Sequence, residues 1–347
     1  MKAIVLQAEN QLAIKDVPEP SLQRESDVIV RVTIAAICGS DIHIKHGLLP
    51  GIGPGTIMGH EFVGVVDRVG SAVTRFKTGD RVAAPAAVWC GTCPFCRRGD
   101  VQYCENGGVW GGGEFFGKGL SGVQTGYVRV PYADVCLTPT PDSVPDEQAV
   151  FVGDVFSTGY YAAREGNIMT GDTVAVFGCG PIGLAALVSA WQFGAGMVIC
   201  VDMFPNRLAV ARHYGALAID AREGSVAERL REVAGGAGVD VAIEAVGTKE
   251  SFEHCWRSVR KGGTVSAVGM FFEPVTFPIN ELVTRGLRLS MGLGNLGFMS
   301  RLMNLIAAGR VDLSPLVTHT FALDDGLEAY DLVENRKEAC IKVLLKP

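Results

Sequence analysis

The sequence predicts an α/β protein in two parts, a β-rich unit and a doubly wound parallel sheet. Three observations carry that prediction. Short apolar runs divided by turns fill the first half, strands and helices alternate from Thr173 to Met291, and a glycine fingerprint, Gly178-Cys-Gly-Pro-Ile-Gly183, opens one of the helices. Alternation at this pace implies right-handed crossovers and a parallel sheet covered on both faces. A chain of 347 residues is long enough to fill two cores.

In chain order, Asp27–Ile34, Phe62–Val69 and Arg81–Ala84 read as strands, separated by turns such as Thr78-Gly79-Asp80. Gly107–Gly126, rich in glycine and carrying Trp110, Phe115 and Phe116, reads as an irregular loop. The character changes near Gly159. Thr173–Phe177 is the strand before the glycine turn and Ile182–Phe193 the helix after it. The strands that follow are Met197–Val201, Leu217–Ile219, Val239–Ala245, Thr264–Gly269 and Leu287–Met291, with helices at Asn206–Tyr214, Ser225–Ala234 and Glu250–Val259. After Gly292 come a helix at Phe298–Ala308, then Leu316–Phe321, Asp324–Glu334 and a strand-like Cys340–Leu345. This tail is too small for a domain and is expected to pack back on the β-rich unit. The expected division is therefore 1–157 with 293–347, and 158–292.

Composition excludes several classes. Hydrophobic content of 48% with 20% charged residues is ordinary for a globular chain. A net charge of −6 without a Lys/Arg run argues against a nucleic-acid partner. The N-terminus turns acidic by Glu9, too soon for a signal peptide. Gly183–Val201 is apolar enough to suggest a membrane span, but Gly194 and Gly196 split it into a buried helix and a buried strand. No membrane partner is expected. Five of the ten cysteines (Cys136, Cys179, Cys200, Cys255, Cys340) are scattered through apolar stretches as small hydrophobes. No disulfide framework is visible, which points to a reducing cytoplasm.

The other cysteines carry chemistry. Cys90, Cys93, Cys96 and Cys104 are spaced C-x2-C-x2-C-x7-C. Four convergent thiolates make a closed tetrahedral zinc site with no position left for substrate; the competing reading is a disulfide pair. Cys38, in Ile37-Cys-Gly-Ser-Asp-Ile-His43, and His60–Glu61 add soft and borderline ligands for a second, open site.

The glycine fingerprint follows a strand, opens a helix and precedes Asp202 by nineteen residues, at the end of the next strand. That context is what a dinucleotide cradle requires. Gly178 allows the tight turn, Gly180 lets backbone approach the pyrophosphate, and Gly183 lets helix and sheet pack closely. The helix N-terminus then faces the anion. Asp202 is placed to accept from the adenosine ribose and to repel a 2′-phosphate, favouring NAD over NADP. Arg207 either clamps the same ribose or is a solvated helix charge.

With these residues assembled, the chain resembles a zinc-dependent medium-chain alcohol dehydrogenase nearly end to end. The likeness rests on Cys38-Gly-Ser-Asp-Ile-His43, Gly59-His-Glu61, Thr78-Gly-Asp-Arg-Val82, the four-cysteine lobe, Phe156-Ser-Thr-Gly-Tyr160 and the glycine fingerprint. The resemblance implies a GroES-like catalytic domain and a Rossmann coenzyme domain. It also implies two zincs, NAD, and an alcohol oxidised to a ketone or aldehyde by hydride transfer. Cys38 and His60 would ligate the catalytic zinc, with Asp154 third where many relatives have cysteine, and Glu61 its rival. Adjacent residues on an extended backbone point apart, so Glu61 is expected behind the metal. Ser40 would take the hydroxyl proton and His43 relay it to solvent, although Ser40 also suits a helix N-cap. Asp41 would orient the ring of His60. Thr158 would pack on the nicotinamide ring, and Pro181, Ile182, Val246, Val268 and Met291 complete the implied coenzyme contacts.

The chain lacks the long insertion of the formaldehyde branch, and Ala86 and Ala87 are small, which together favour secondary alcohols; polyols are the alternative. Trp110, Phe115 and Phe116 form either an apolar wall or anchors for their loop. The strand Leu287–Met291, at a sheet edge, invites pairing with a second copy, and a homotetramer is expected over a dimer. The rival classes are a zinc-ribbon regulatory protein and a silent nucleotide sensor.

Overall fold

The computed structural model describes residues 1–337 and 339–347. The chain divides into two compact units, Met1–Ser157 with Asn295–Pro347, and Thr158–Gly294.

The first unit is built on the strand Val28–Ile37, whose side chains are buried on both faces over most of its length. It pairs antiparallel with Glu61–Val69, Tyr127–Val130 and Lys342–Lys346. Arg81–Ala84 and Thr138–Pro139 extend the sheet on one side, and Val317–Ala322 adds to Lys342–Lys346 on the other. Leu344 and Glu61 both stand opposite Ala36, so two partner strands end beside the residue that follows Ile37, namely Cys38. The tail thus returns to the β-rich unit as a strand of its sheet. A hairpin of Lys2–Ala8 and Gln11–Asp16, turning at Asn10 in the left-handed region, precedes it.

The second unit is a six-stranded parallel sheet. Its strands are β1 (Thr173–Phe177), β2 (Met197–Asp202), β3 (Leu217–Asp220), β4 (Val239–Glu244), β5 (Val259–Ala267) and β6 (Arg288–Met291), in the order β3-β2-β1-β4-β5-β6. The inner strands read as nearly unbroken apolar runs because helices cover both faces. The order reverses between β1 and β4, the switch point at which such sheets bind ligands.

β5 starts five residues before the expected Thr264. The run Arg260-Lys-Gly-Gly looks like a turn, but it is a bulge within the strand: Val239 pairs with Val259 and Val241 with Thr264. The apolar segment 183–201 divides into the helix Pro181–Gln192 and the strand β2. Among the described residues no helix is long and apolar enough to cross a membrane.

Candidate functional site: two metal clusters and a strand-end cradle

The four-cysteine lobe folds around the helix Pro94–Arg98, with Cys93 at its N-cap and left-handed Gly99 ending it. The Sγ atoms are 4.0 Å apart for Cys90 and Cys96, 3.9 Å for Cys93 and Cys104, and 3.6 Å for Cys90 and Cys104. A tetrahedron with zinc–sulfur bonds of about 2.3 Å has edges of about 3.8 Å, so the thiols are spaced for that ion. Burial pushes the Cys90 thiol up, but hydrogen bonds from Thr92, Cys93 and Asn106 outweigh it and bring it down to about 5. Cys96 is pushed up by burial and by its neighbours Cys93 and Cys104. Four thiolates crowd here only around a cation.

The second cluster gathers Cys38, His60, Glu61 and Asp154, whose ligand atoms all lie within 4.8 Å of one another. Asp154 Oδ2 is 4.0 Å from Cys38 Sγ and 3.5 Å from His60 Nε2. Ideal tetrahedral edges for these ligand pairs are about 3.5 and 3.3 Å. His60 Nδ1 is 3.4 Å from Asp41 Oδ1, which leaves Nε2 facing the cluster. Burial disfavours a charged His60, yet Asp41 and Asp154 outweigh it and its pKa is well above the usual histidine value. The carboxylates make the site favour positive charge, and a thiol, an imidazole and two carboxylates this close form a donor set suited to a divalent cation, which would take the place of the ring proton.

Two expectations change at this site. Ser40 does not cap the helix Gly39–Lys45; Cys38 is its N-cap, and the Cys38 N–H donates to Asp41 Oδ2 at 2.9 Å. Ser40 lies one residue into the helix, its Oγ 3.5 Å from His60 Nε2. Glu61 does not point away from His60 as strand alternation requires: its Oε1 is 4.0 Å from His60 Nε2. The strand begins only at Glu61, and Gly59 before it is left-handed, so His60 stands outside the pleat.

One residue of this site escapes motif reading. Lys342, only 1% exposed, reaches Glu61 Oε1 at 2.5 Å, while Glu61 Oε2 is buried without a partner. Burial works against the ammonium, but the Glu61 carboxylate prevails and holds Lys342 protonated. The available signal was a lysine inside the apolar run Ile341–Leu345, since a fully buried lysine demands a partner. Trp110 is 1% exposed, donates Nε1–H to the Pro85 carbonyl at 2.7 Å and packs edge-on to Phe62. It anchors its loop, whereas Phe115 is half exposed and stacks edge-on with Phe116.

In the second unit, the residues expected to meet coenzyme follow the C-terminal ends of adjacent strands. Phe177, Val201, Glu244, Ala267 and Met291 share one register across the sheet. Gly178–Gly183, Asp202, Val246 and Val268 lie just beyond that line, and Met291 on it. A Cβ on Gly183 would stand 1.7 Å from the Gly178 carbonyl oxygen, so only glycine lets the helix meet the turn. A Cβ on Gly180 would meet only the Arg207 guanidinium, at 3.8 Å, leaving that face of the helix N-terminus open for an anion. Asp202 accepts N–H bonds from Cys179 (2.6 Å), Met203 (2.7 Å) and Phe204 (2.9 Å), and Arg207 is 3.9 Å away. Thr158 sits in the helix Val155–Glu165 with Gly294 pressed against its side chain. His43 lies one turn beyond Ser40, and burial lowers its pKa.

An open zinc cluster with a dinucleotide cradle in the same chain defines a zinc-dependent nicotinamide oxidoreductase. Residues 24–142 match the alcohol dehydrogenase GroES-like domain, and residues 181–307 the zinc-binding dehydrogenase domain. An alcohol dehydrogenase of Cupriavidus necator is 38% identical, over 100% of this chain and 99% of its own. A sorbitol dehydrogenase of Bacillus subtilis is 32% identical over 100% and 97%. The solved structure of alcohol dehydrogenase TADH from Thermus sp. ATN1 superposes with a TM-score of 0.95 at 38% identity, covering 100% of this chain and 99% of that one. The chain belongs to the zinc-dependent medium-chain alcohol dehydrogenases, with a GroES-like unit and a Rossmann unit. It is an NAD-linked enzyme acting on alcohols and their carbonyl counterparts.

Proposed function

We propose that the enzyme interconverts secondary alcohols and ketones, with Cys38, His60 and Asp154 holding the catalytic zinc. The observation that carries the substrate class is the Ala86 N–H donating to the Gly153 carbonyl at 2.8 Å, which sets Ala86 and Ala87 beside Asp154. Two methyl side chains there leave room for a second carbon substituent on the carbinol. A screen of secondary alcohols, primary alcohols and polyols tests this. Secondary alcohols are expected to exceed primary ones by about tenfold or more in kcat/KM, and equal rates would refute it. The second reading is a polyol substrate, favoured by the likeness to a sorbitol dehydrogenase.

When bound, zinc supplies a Lewis acid that acidifies a hydroxyl, and the nicotinamide supplies the hydride acceptor. The residues do the rest. Ser40 Oγ, facing the cluster, accepts the hydroxyl proton as it gives up its own, which passes on to His43 on the same helix face and toward solvent. Burial keeps His43 neutral and able to accept. Glu61, its Oε1 held by Lys342 and 4.0 Å from His60 Nε2, is close enough to the three ligands to exchange into the coordination sphere. Thr158, Val246, Val268 and Met291 seat the nicotinamide half, while Gly178, Gly180, Pro181, Ile182 and Gly183 receive the pyrophosphate. Asp202, with Arg207, selects the unphosphorylated ribose.

The edge strand β6 is flanked by exposed Ile279, Val283 and Leu293. We infer that it pairs with a second copy of the chain, in a tetramer assembled from such dimers. The ten free cysteines accord with a cytoplasmic enzyme.

A further inference from the structure

Behind His60 runs a buried chain of polar groups that neither ligate nor touch substrate. The Tyr330 hydroxyl donates to Gln124 Oε1 at 2.8 Å. Gln124 Nε2 donates to the Ala36 carbonyl at 3.2 Å and to Asp41 Oδ2 at 3.4 Å. Asp41 Oδ2 also takes the Cys38 N–H, and Asp41 Oδ1 faces His60 Nδ1. Gln124 and Asp41 are 0% exposed and Tyr330 2%.

We propose that Tyr330 and Gln124 are positioning residues of the catalytic metal site, fixing through Asp41 the ring orientation and tautomer with which His60 presents Nε2. The polarity of every link is forced. Ala36 offers a carbonyl and Asp41 a carboxylate, so the amide must turn its NH2 toward both. Reversed, it would set three acceptors against one another in a fully buried site. The phenol holds the amide in this sense by occupying Oε1. It remains a donor, because burial and the nearby Asp41 push its pKa well above the usual tyrosine value. With Oδ2 engaged by Gln124 and the Cys38 N–H, Asp41 turns Oδ1 toward His60 Nδ1 at 3.4 Å, a placement that favours the tautomer with its proton on Nδ1 and the Nε2 lone pair toward the cluster.

The turn that delivers His60 also admits its support. Gly59 has φ +86, and a Cβ there would stand 2.5 Å from Gln124 Cγ and 2.7 Å from its Nε2. Tyr330 comes from the helix Gly326–Glu334, so the returning tail contributes this prop as well as Lys342.

The proposal rests on the zinc reading of the Cys38–His60–Asp154 cluster, and one experiment separates the two. The holoenzyme and its Gln124→Leu and Tyr330→Phe variants are titrated with a chelator, zinc being counted by mass spectrometry. The four-cysteine site is the internal standard. Cobalt(II) placed in the open site gives a visible spectrum for each protein. Gln124→Leu is expected to weaken zinc binding at the open site about 10-fold, and Tyr330→Phe by a smaller factor. Both should shift the cobalt bands and leave the four-cysteine site unchanged. Wild-type affinity and an unshifted spectrum in both variants would overturn the proposal, as would parallel weakening of both zinc sites, the mark of a merely structural role. Absence of a second zinc from the wild-type protein would overturn the site reading itself, and this proposal with it.

Discussion

At the scale of single residues, charge balance decides what the open cluster can be. Glu61 and Lys342 are both buried and in direct contact. Removing one partner of such a pair strands the other's charge, which costs about 3–5 kcal/mol. Lys342→Met should lower unfolding free energy in urea by that order, while an unchanged midpoint would contradict a charged pair. Asp202 holds the glycine turn through the Cys179 N–H, and on the proposed reading it also receives the adenosine ribose. Asp202→Ala should shift the NAD-to-NADP ratio of kcat/KM toward NADP by about tenfold, worth about 1.4 kcal/mol; unchanged discrimination would refute its role. Cys38 and His60, which meet in one cluster with Asp154, stand out in the sequence as ligand types in short motifs, whereas Asp154 is marked only by the family resemblance. Lys342, Gln124 and Tyr330 do not stand out, because each acts through a contact made across a long sequence separation. Only burial of a polar group in an apolar run hints at the first of them.

At the scale of elements, two turns do most of the work. The fingerprint was readable because strand, glycines, helix and acidic residue must follow one another locally for the cradle to form. Gly183→Ala would drive a methyl group into the Gly178 carbonyl. Calorimetry should show NADH binding lost while both zincs remain; retained affinity would contradict the close-packing argument. The four-cysteine lobe is equally local, and Cys96→Ser should reduce zinc from two per chain to one and lower the melting temperature. Local reading failed in two places, one for a long-range cause and one for a local cause. The stretch Arg260–Gly263 has turn composition but lies in β5, because pairing with β4 absorbs it as a bulge. Strand alternation failed at His60–Glu61 because the strand starts between them and a left-handed glycine precedes it.

At the scale of the whole molecule, the class of each unit was legible from strand–helix rhythm. The return of the tail was legible only as a short piece needing a host. That host is the strand Val28–Ile37, and the returning strand places Lys342 against Glu61. The free edge of β6 belongs to this scale too. On the proposed pairing of β6 with a second copy, Leu289→Pro should disturb that strand and lower the mass measured by light scattering; an unchanged mass would contradict the pairing. The central claim is that catalysis depends on a second, open zinc. Anomalous scattering at the zinc edge from crystals of fully active enzyme tests it most directly. Two peaks are predicted, one inside the four-cysteine lobe and one between Cys38, His60 and Asp154. A single peak in the lobe, with NADH formation undiminished, would contradict it.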